Sequence, residues 1–443
     1  MNAVKVIISD LHVGAGGDGN PLEDFTLDAP FSRFLSELVD ESEANGSELE
    51  LILAGDVFEF LQVPVLPDPE AFDPLAAYAT ALSLPSDEAS AVAKMRTMIA
   101  GHPRFFAALA AFLQESAPGR SITLIKGNHD VELHWQGVQQ LLREALGAGE
   151  ALRFEDRRIS REGLYVEHGN QYAEAVSRLR DMTEPHDMAS GGSLLCPLGS
   201  RFVMRLLNPV ERERFWIDGV KPITALIWYL LALDTRLGLR ALALLLREVP
   251  EDVLSSQARM LAADASADLL DVPQTPQEVA SLCERIAQTI APWSMPENGS
   301  ESMLSARGRL SWSESALQRG WAEEQSHRDA LVVAAGKKAL QEHAQVVVFG
   351  HSHSACSERL PNDATYLNAG TWTWVRSFEG ADASTWRELF EHPERFMSER
   401  HPTYVRVDYD QAGIPHATLR QLTIQMPRST LLRRLRGWLR GHR

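Results

Sequence analysis

Short β-branched runs that stop abruptly in Gly, Asp, Asn or His recur along this chain and constrain its fold more than any other feature. They cover residues 4–9, 49–54, 122–126, 164–167, 346–349 and 365–368. Amphipathic stretches lie between them. In residues 31–43, Phe31, Phe34, Leu35 and Leu38 share one helical face, and residues 90–115 and 137–147 have the same pattern. Nearly continuous apolar strands alternating with such helices predict a layered α/β domain around buried sheets. Residues 404–409 and 417–425 predict a further strand pair around the turn at Gly413 and Pro415. Residues 61–87 carry prolines at 64, 67, 69, 74 and 85, which predicts a loop.

The middle of the chain breaks this rhythm. Residues 171–330 are mostly helical in pattern, with no convincing strand. Ile223, Leu226, Ile227, Leu230 and Leu231 open an apolar stretch that reaches Leu246, but Asp234, Arg236 and Arg240 interrupt it short of membrane-span length. It fits the buried core of a helical cap, or a greasy lid over an apolar substrate. The expected organisation is a discontinuous domain over 1–170 and 340–427, a helical insertion over 171–339 and a tail over 428–443.

Composition narrows the class. With 443 residues, 44% hydrophobic and 23% charged, the chain is a folded globular protein rather than a disordered or low-complexity one. A net charge of −17 disfavours broad binding of nucleic acid. The tail runs the other way, with six arginines and no acid after residue 427. On a helix, Leu431, Leu432, Leu435, Trp438 and Leu439 would fall on one side, a pattern that suits an anionic membrane surface, the plain alternative being a solvated terminus. Three widely spaced cysteines (Cys196, Cys283, Cys356) imply a reducing compartment. The opening residues resemble no secretory leader. A cytoplasmic location, peripheral to the inner membrane face through the tail, is expected.

Five short motifs each stand where a strand should end: Ser9-Asp10-Leu11-His12, Gly55-Asp56-Val57-Phe58-Glu59, Gly127-Asn128-His129-Asp130, Glu167-His168-Gly169-Asn170 and Gly350-His351-Ser352-His353. The crevice beyond the carboxyl ends of strands is where α/β sheets bind ligands. Asp, His and Asn without thiolate suit divalent ions in N/O coordination, such as Mn²⁺, Fe²⁺, Zn²⁺ or Mg²⁺. Asp10 and His12, and again His351 and His353, are two apart, so extended backbone would turn each pair to one side. Seven ligand-type residues exceed the needs of one open ion site and point to two ions sharing a carboxylate. Glycines 55, 127 and 350 would let the backbone turn sharply beside them.

The ordered set D-x-H, G-D, G-N-H-D, H-G and G-H-x-H resembles the calcineurin-like metallophosphoesterases over residues 1–170 and 340–425. The resemblance implies a four-layer αββα sandwich, here with a mostly α-helical insertion, and a centre of two divalent ions, manganese first among them. It implies one ion on Asp10, His12, Asp56 and His353, and a second on Asp56, Asn128, His168 and His351. His129 would face the scissile phosphate as acid or electrostatic stabiliser, with Asp130 orienting or charge-stabilising its imidazole. The implied reaction is hydrolysis of a phosphoester or pyrophosphate bond by metal-activated water. The starts SDLHVG and GDVFEF, with the segment from Asn368 to Trp372, are most similar to bacterial UDP-2,3-diacylglucosamine hydrolases, which cleave a lipid-linked pyrophosphate. Those enzymes carry Arg where this chain has His129, and a shorter cap. The implied partner is a phosphorylated small-molecule or lipid-linked substrate. A DNA or nucleotide phosphodiesterase or exonuclease is the alternative, followed by a non-catalytic scaffold. Cys356 is read as a small buried residue, His134 as a pocket-lining candidate, and His102, His186, His327 and His343 as surface residues.

Overall fold

A computed structural model describes residues 3–17, 19–66, 68, 87–114, 118–173, 177–183, 185–187, 193–238, 240–241 and 306–427. The tail 428–443, most of the proline-rich loop and Cys283 lie outside them. The chain is mixed α/β and divides into two units. The first comprises Met1–Ser200, His327–Trp374 and Met397–Arg443; the second comprises Arg201–Ser326 and Val375–Phe396. The boundaries thus fall near 200 and 327 rather than at 170 and 340, and a second segment, 375–396, joins the helical unit.

Two sheets form the first unit. Strands β1 (Ala3–Ile8), β2 (Glu48–Ala54), β3 (Arg120–Ile125) and β4 (Leu152–Glu155) run parallel in one sheet. Strands β5 (Arg158–Arg161), β6 (Leu164–Glu167), β7 (Val346–Phe349), β8 (Cys356–Arg359) and β9 (Thr365–Asn368) form the other, in the order β8-β9-β7-β6-β5. Its centre is parallel, with Val166 beside Val348 and Phe349 beside Asn368, while β5 and β8 are antiparallel edges. Strands β10 (Thr403–Tyr409) and β11 (Pro415–Gln421) complete the first sheet, β10 lying antiparallel beside β1.

The sheets share one buried cluster. Ile7, Ile52, Ile125, Val405 and Val407 of the first sheet pack with Ile159, Val166, Val346, Val348 and Leu367 of the second. Burying each such side chain contributes about 1.5–3 kcal/mol. An ionic link also joins them away from the strand ends that carry the motifs. Glu50 of β2 accepts from Lys5 Nζ (2.9 Å) and Thr123 Oγ1 (2.7 Å), and from Arg161 of β5. Burial pushes the Glu50 carboxyl up, but Thr123 and Lys5 outweigh it and hold it below its ordinary value.

Helices cover the outer faces. Helix α1 (Asp28–Asn45) buries Phe31, Phe34, Leu35 and Leu38, and places Phe34 4.9 Å from Tyr404 of β10 between ring centroids. The predicted run over 90–115 is broken into α2 (Glu88–Gly101) and α3 (Pro103–Phe112), because Pro103 takes the first position of a new helix. Helix α4 (Gln136–Leu146) follows. In the second unit, the apolar stretch forms α5 (Ile223–Leu233), whose Tyr229 stacks on Trp386 at 3.9 Å. Helix α6 (Ala306–Gln341) packs Leu331, Ala334, Ala335 and Ala339 against Tyr165, Val347, Phe349 and Tyr366 of the second sheet. Helix α7 (Ala383–Glu391), which carries Trp386, is capped by Asp382. Among the described residues, no helix is long and apolar enough to cross a membrane.

The middle segment is not free of strands. His186–Asp187 pairs with Ser193–Leu194, and Val220–Lys221 pairs with Arg376–Ser377. Two-residue strands carry no alternation to read. His102 is also not a surface residue: it is buried, with its ring nitrogens 3.3 Å from Glu23 and 3.0 Å from Asp28.

Burial opposes charge on His102, but Glu23 and Asp28 outweigh it and push its pKa up to about 10. That stabilisation is whole below the ordinary value near 6.5 and is lost as pH rises through about 10. His102→Leu is therefore expected to cost about 3 kcal/mol near pH 6 in urea unfolding. Its gap from wild type should narrow toward pH 10, and a gap that does not change with pH would contradict this.

Candidate metal centre

All five motifs sit at carboxyl ends of parallel strands. Asp10 and His12 follow β1, Asp56 follows β2 and Asn128 to Asp130 follow β3, all in the first sheet. His168 follows β6, and His351 with His353 follow β7, in the second. The loops are tied to one another through backbone. Asp10 N–H donates to Gly55 O (3.1 Å), His12 N–H to Asp56 O (3.0 Å) and Gly350 N–H to His168 O (2.8 Å).

Asp10, His12 and His353 form one group whose ligand atoms lie within 4.8 Å of one another, and Asp56, His168 and His351 form a second. In the first, His353 Nε2 is 3.2 Å from both Asp10 Oδ1 and His12 Nε2. In the second, His168 Nε2 is 3.1 Å from Asp56 Oδ2. Side-chain and backbone bonds couple the groups to their surroundings: His351 N–H donates to Asp10 Oδ2 (2.9 Å) and His129 N–H to Asp56 Oδ1 (2.8 Å).

Among the expected ligand atoms, Asn128 Oδ1 is buried without a hydrogen-bond partner, while Asp10 Oδ1 and His168 Nε2 lie only against His353 and Asp56 of their own groups. Buried polar atoms normally have partners, and leaving one unpaired costs about 1–3 kcal/mol. Second contacts orient the imidazoles. Ala54 O can only accept, so His168 Nδ1 donates to it (3.0 Å) and Nε2 faces the group. His12 Nδ1 likewise donates to Glu59 (2.7 Å), which turns Nε2 toward Asp10 and His353. Buried nitrogen and oxygen donors that converge in this way fit divalent cations.

The charge balance is tight. Burial raises Asp10 and Asp56, yet the neighbouring histidines hold Asp10 at about 2 and Asp56 well below its ordinary value. Burial opposes charge on His168, but Asp56 pushes it up to about 9. Burial, then the charge of His168, pushes His351 down to about 3.

Backbone conformation differs from the expected extended pairs. Asp10, His12, Asp56, His351 and His353 all have φ between 50° and 69°. This left-handed region is uncommon for residues with a Cβ and persists where the surroundings over-determine it, often at functional sites. Two glycines make room for the ligands. A Cβ at Gly127 would stand 2.1 Å from Asp56 Oδ1, and one at Gly350 would stand 2.5 Å from Asp10 Oδ2.

Asp130 makes no hydrogen bond to His129 and acts on it through charge, adding to the pull that keeps the imidazole protonated. Its buried carboxylate accepts backbone N–H groups of Gly127 (2.6 Å), Val57 (2.8 Å) and Phe58 (3.4 Å), which fixes two motif loops to each other. Burial, then Asp56, pushes it up to about 6. The partner of His129 is Glu59, whose Oε2 accepts from His129 Nδ1 (2.6 Å) as well as from His12 Nδ1. Burial raises Glu59, but His129 and His12 hold it at about 2. Burial opposes charge on His129, but Glu59 and Asp56 push it up to about 10. Sequence reading passed over Glu59; its one signal was an acid three residues after Asp56 inside an apolar run.

The remaining candidates lie elsewhere. His134 sits in the turn after Asp130, and its Nε2 is 2.9 Å from His186 Nε2, while Lys126 Nζ approaches its Nδ1 at 3.3 Å. Cys356 is half-buried on the edge strand β8, and burial pushes its thiol up. A scan against protein-family models and a search of curated proteins found no match to this chain.

Gly127→Ala is expected to stay folded by circular dichroism while its Mn²⁺ affinity falls at least about tenfold in calorimetric titration. Wild-type affinity would contradict the tight seating of Asp56.

Proposed function

We propose that the first unit is a calcineurin-like metallophosphoesterase with the family's αββα sandwich, and that it hydrolyses a phosphoester or pyrophosphate bond. The observation that carries this reading is the convergence, at strand ends of both sheets, of Asp10, His12 and His353 into one group of ligand-type atoms and of Asp56, His168 and His351 into a second. Two sheets sharing a core, with helices outside, support the fold assignment. Asp10, His12 and His353 would hold one divalent ion, and Asn128, His168 and His351 a second, with Asp56 between them. Ions so held would supply Lewis acidity to phosphoryl oxygens and a nucleophile drawn from water. Manganese suits this N/O donor set.

The protein's own groups supply the rest. Glu59 accepts a hydrogen bond from His129 Nδ1–H, so Nε2 is the atom left for substrate. From there His129 would stabilise phosphoryl charge or give a proton to the leaving oxygen. Lys94 Nζ donates to Phe60 O (2.8 Å) and steadies the loop that carries Glu59.

The test is a panel of monoesters, diesters, nucleotide sugars and single-stranded DNA with Mn²⁺ present, beginning with p-nitrophenyl phosphate and its bis ester. Turnover on at least one class is expected, and none on any would contradict the proposal. His129→Gln should keep its metal content and lose about 10²–10⁴ in rate. Metal loss in that variant would place His129 among the ligands instead.

A further inference from the structure

The end of β9 and the segment after it belong to neither ligand group, yet they touch the motif loops of both sheets. Asn368 is buried, and its Nδ2 donates to Gly350 O (2.7 Å), immediately before His351. Its Oδ1 accepts from Gly370 N–H (3.0 Å), which folds the segment back on itself. Thr371 Oγ1 donates to Asp10 O (2.7 Å), and Trp372 N–H donates to the same carbonyl (3.1 Å). Ser9 Oγ donates to Gly370 O (3.3 Å). The segment is itself anchored to β10: Thr403 Oγ1 donates to Ala369 O (2.5 Å), and Trp372 Nε1 donates to Thr403 O (3.1 Å).

The two carbonyls gripped here belong to Asp10 itself and to the residue before His351. Asp10 and His351 both hold left-handed backbone, at φ 54° and 69°. Such conformations relax when the bonds that impose them are removed. Asp10 and His12 arise from the first sheet and His353 from the second, so their group closes only while the two loops keep register.

We infer that Asn368 and Thr371 are positioning residues that clamp the Asp10 loop to the Gly350 loop and so set the affinity of the ion site on Asp10, His12 and His353. The inference rests on the dinuclear reading above. Thr371 acts through the Asp10 carbonyl and Asn368 through the Gly350 carbonyl; neither side chain is a ligand. Partners of this kind typically change metal affinity by about 10–100-fold.

The test uses the full chain loaded with Mn²⁺. Wild type should bind two ions and show the paramagnetic resonance of an exchange-coupled pair. Thr371→Val, which keeps shape and removes the donor, should bind its weaker ion at least about tenfold less tightly. Its spectrum at limiting Mn²⁺ should shift to isolated ions, and Thr371→Ser should restore the coupled pair. Asn368→Asp, which sets an acceptor against Gly350 O, carries the same test if Thr371→Val does not fold. Folded variants that keep a coupled pair at wild-type affinity would overturn the clamp, and so would a Thr371→Ser that behaves like Thr371→Val. A wild type that binds no ion pair would overturn the dinuclear reading itself.

Discussion

Four buried carboxylates, Asp10, Asp56, Glu59 and Asp130, gathered at the ends of two facing sheets, are the constraint on which the rest of this molecule depends. Isolated charges of this kind are among the costliest groups to bury. Each carboxylate has its own compensation. Asp130 is met by three backbone N–H groups, Glu59 by two imidazoles, and Asp10 and Asp56 by a backbone N–H each together with histidines from the other sheet. The arrangement gathers nitrogen and oxygen donors into two buried groups, an environment that a pair of divalent cations would suit.

Gathering those groups shapes the backbone around them. The candidate ligands stand one to four residues past a strand end, and five of them, Asp10, His12, Asp56, His351 and His353, hold left-handed backbone. Small residues give way where ligands press: Gly127 against Asp56 and Gly350 against Asp10. The shared apolar cluster keeps the sheets face to face, and the Glu50 network locks them away from the centre. Rigidity in the sheets is thus converted into fixed ligand positions in the loops, as preorganised sites require.

Much of the centre was legible in the sequence, because each motif sets a metal-type residue directly after an apolar run. The strand ends at Ile8, Ala54, Ile125, Glu167 and Phe349 fall within a residue of where those runs stop. Other features left no such trace. Glu59 is a single acid whose two histidine partners lie at positions 12 and 129. The role of Asp130 depends on backbone N–H groups, which no residue type reveals. Asn368 and Thr371 are ordinary turn residues by composition, and their meaning lies in the carbonyls they reach. Strands β4, β5 and β8 are four residues each, too short for alternation to stand out. The return of residues 375–396 to the helical unit is a pairing across sequence that no local pattern signals.

Anomalous diffraction from Mn²⁺-loaded crystals is the sharpest test of whether this centre holds two ions. Two peaks are expected, one among Asp10, His12 and His353 and one among Asn128, His168 and His351, with Asp56 touching both. A single peak, or none at these residues in crystals that take up manganese elsewhere, would contradict a two-ion centre.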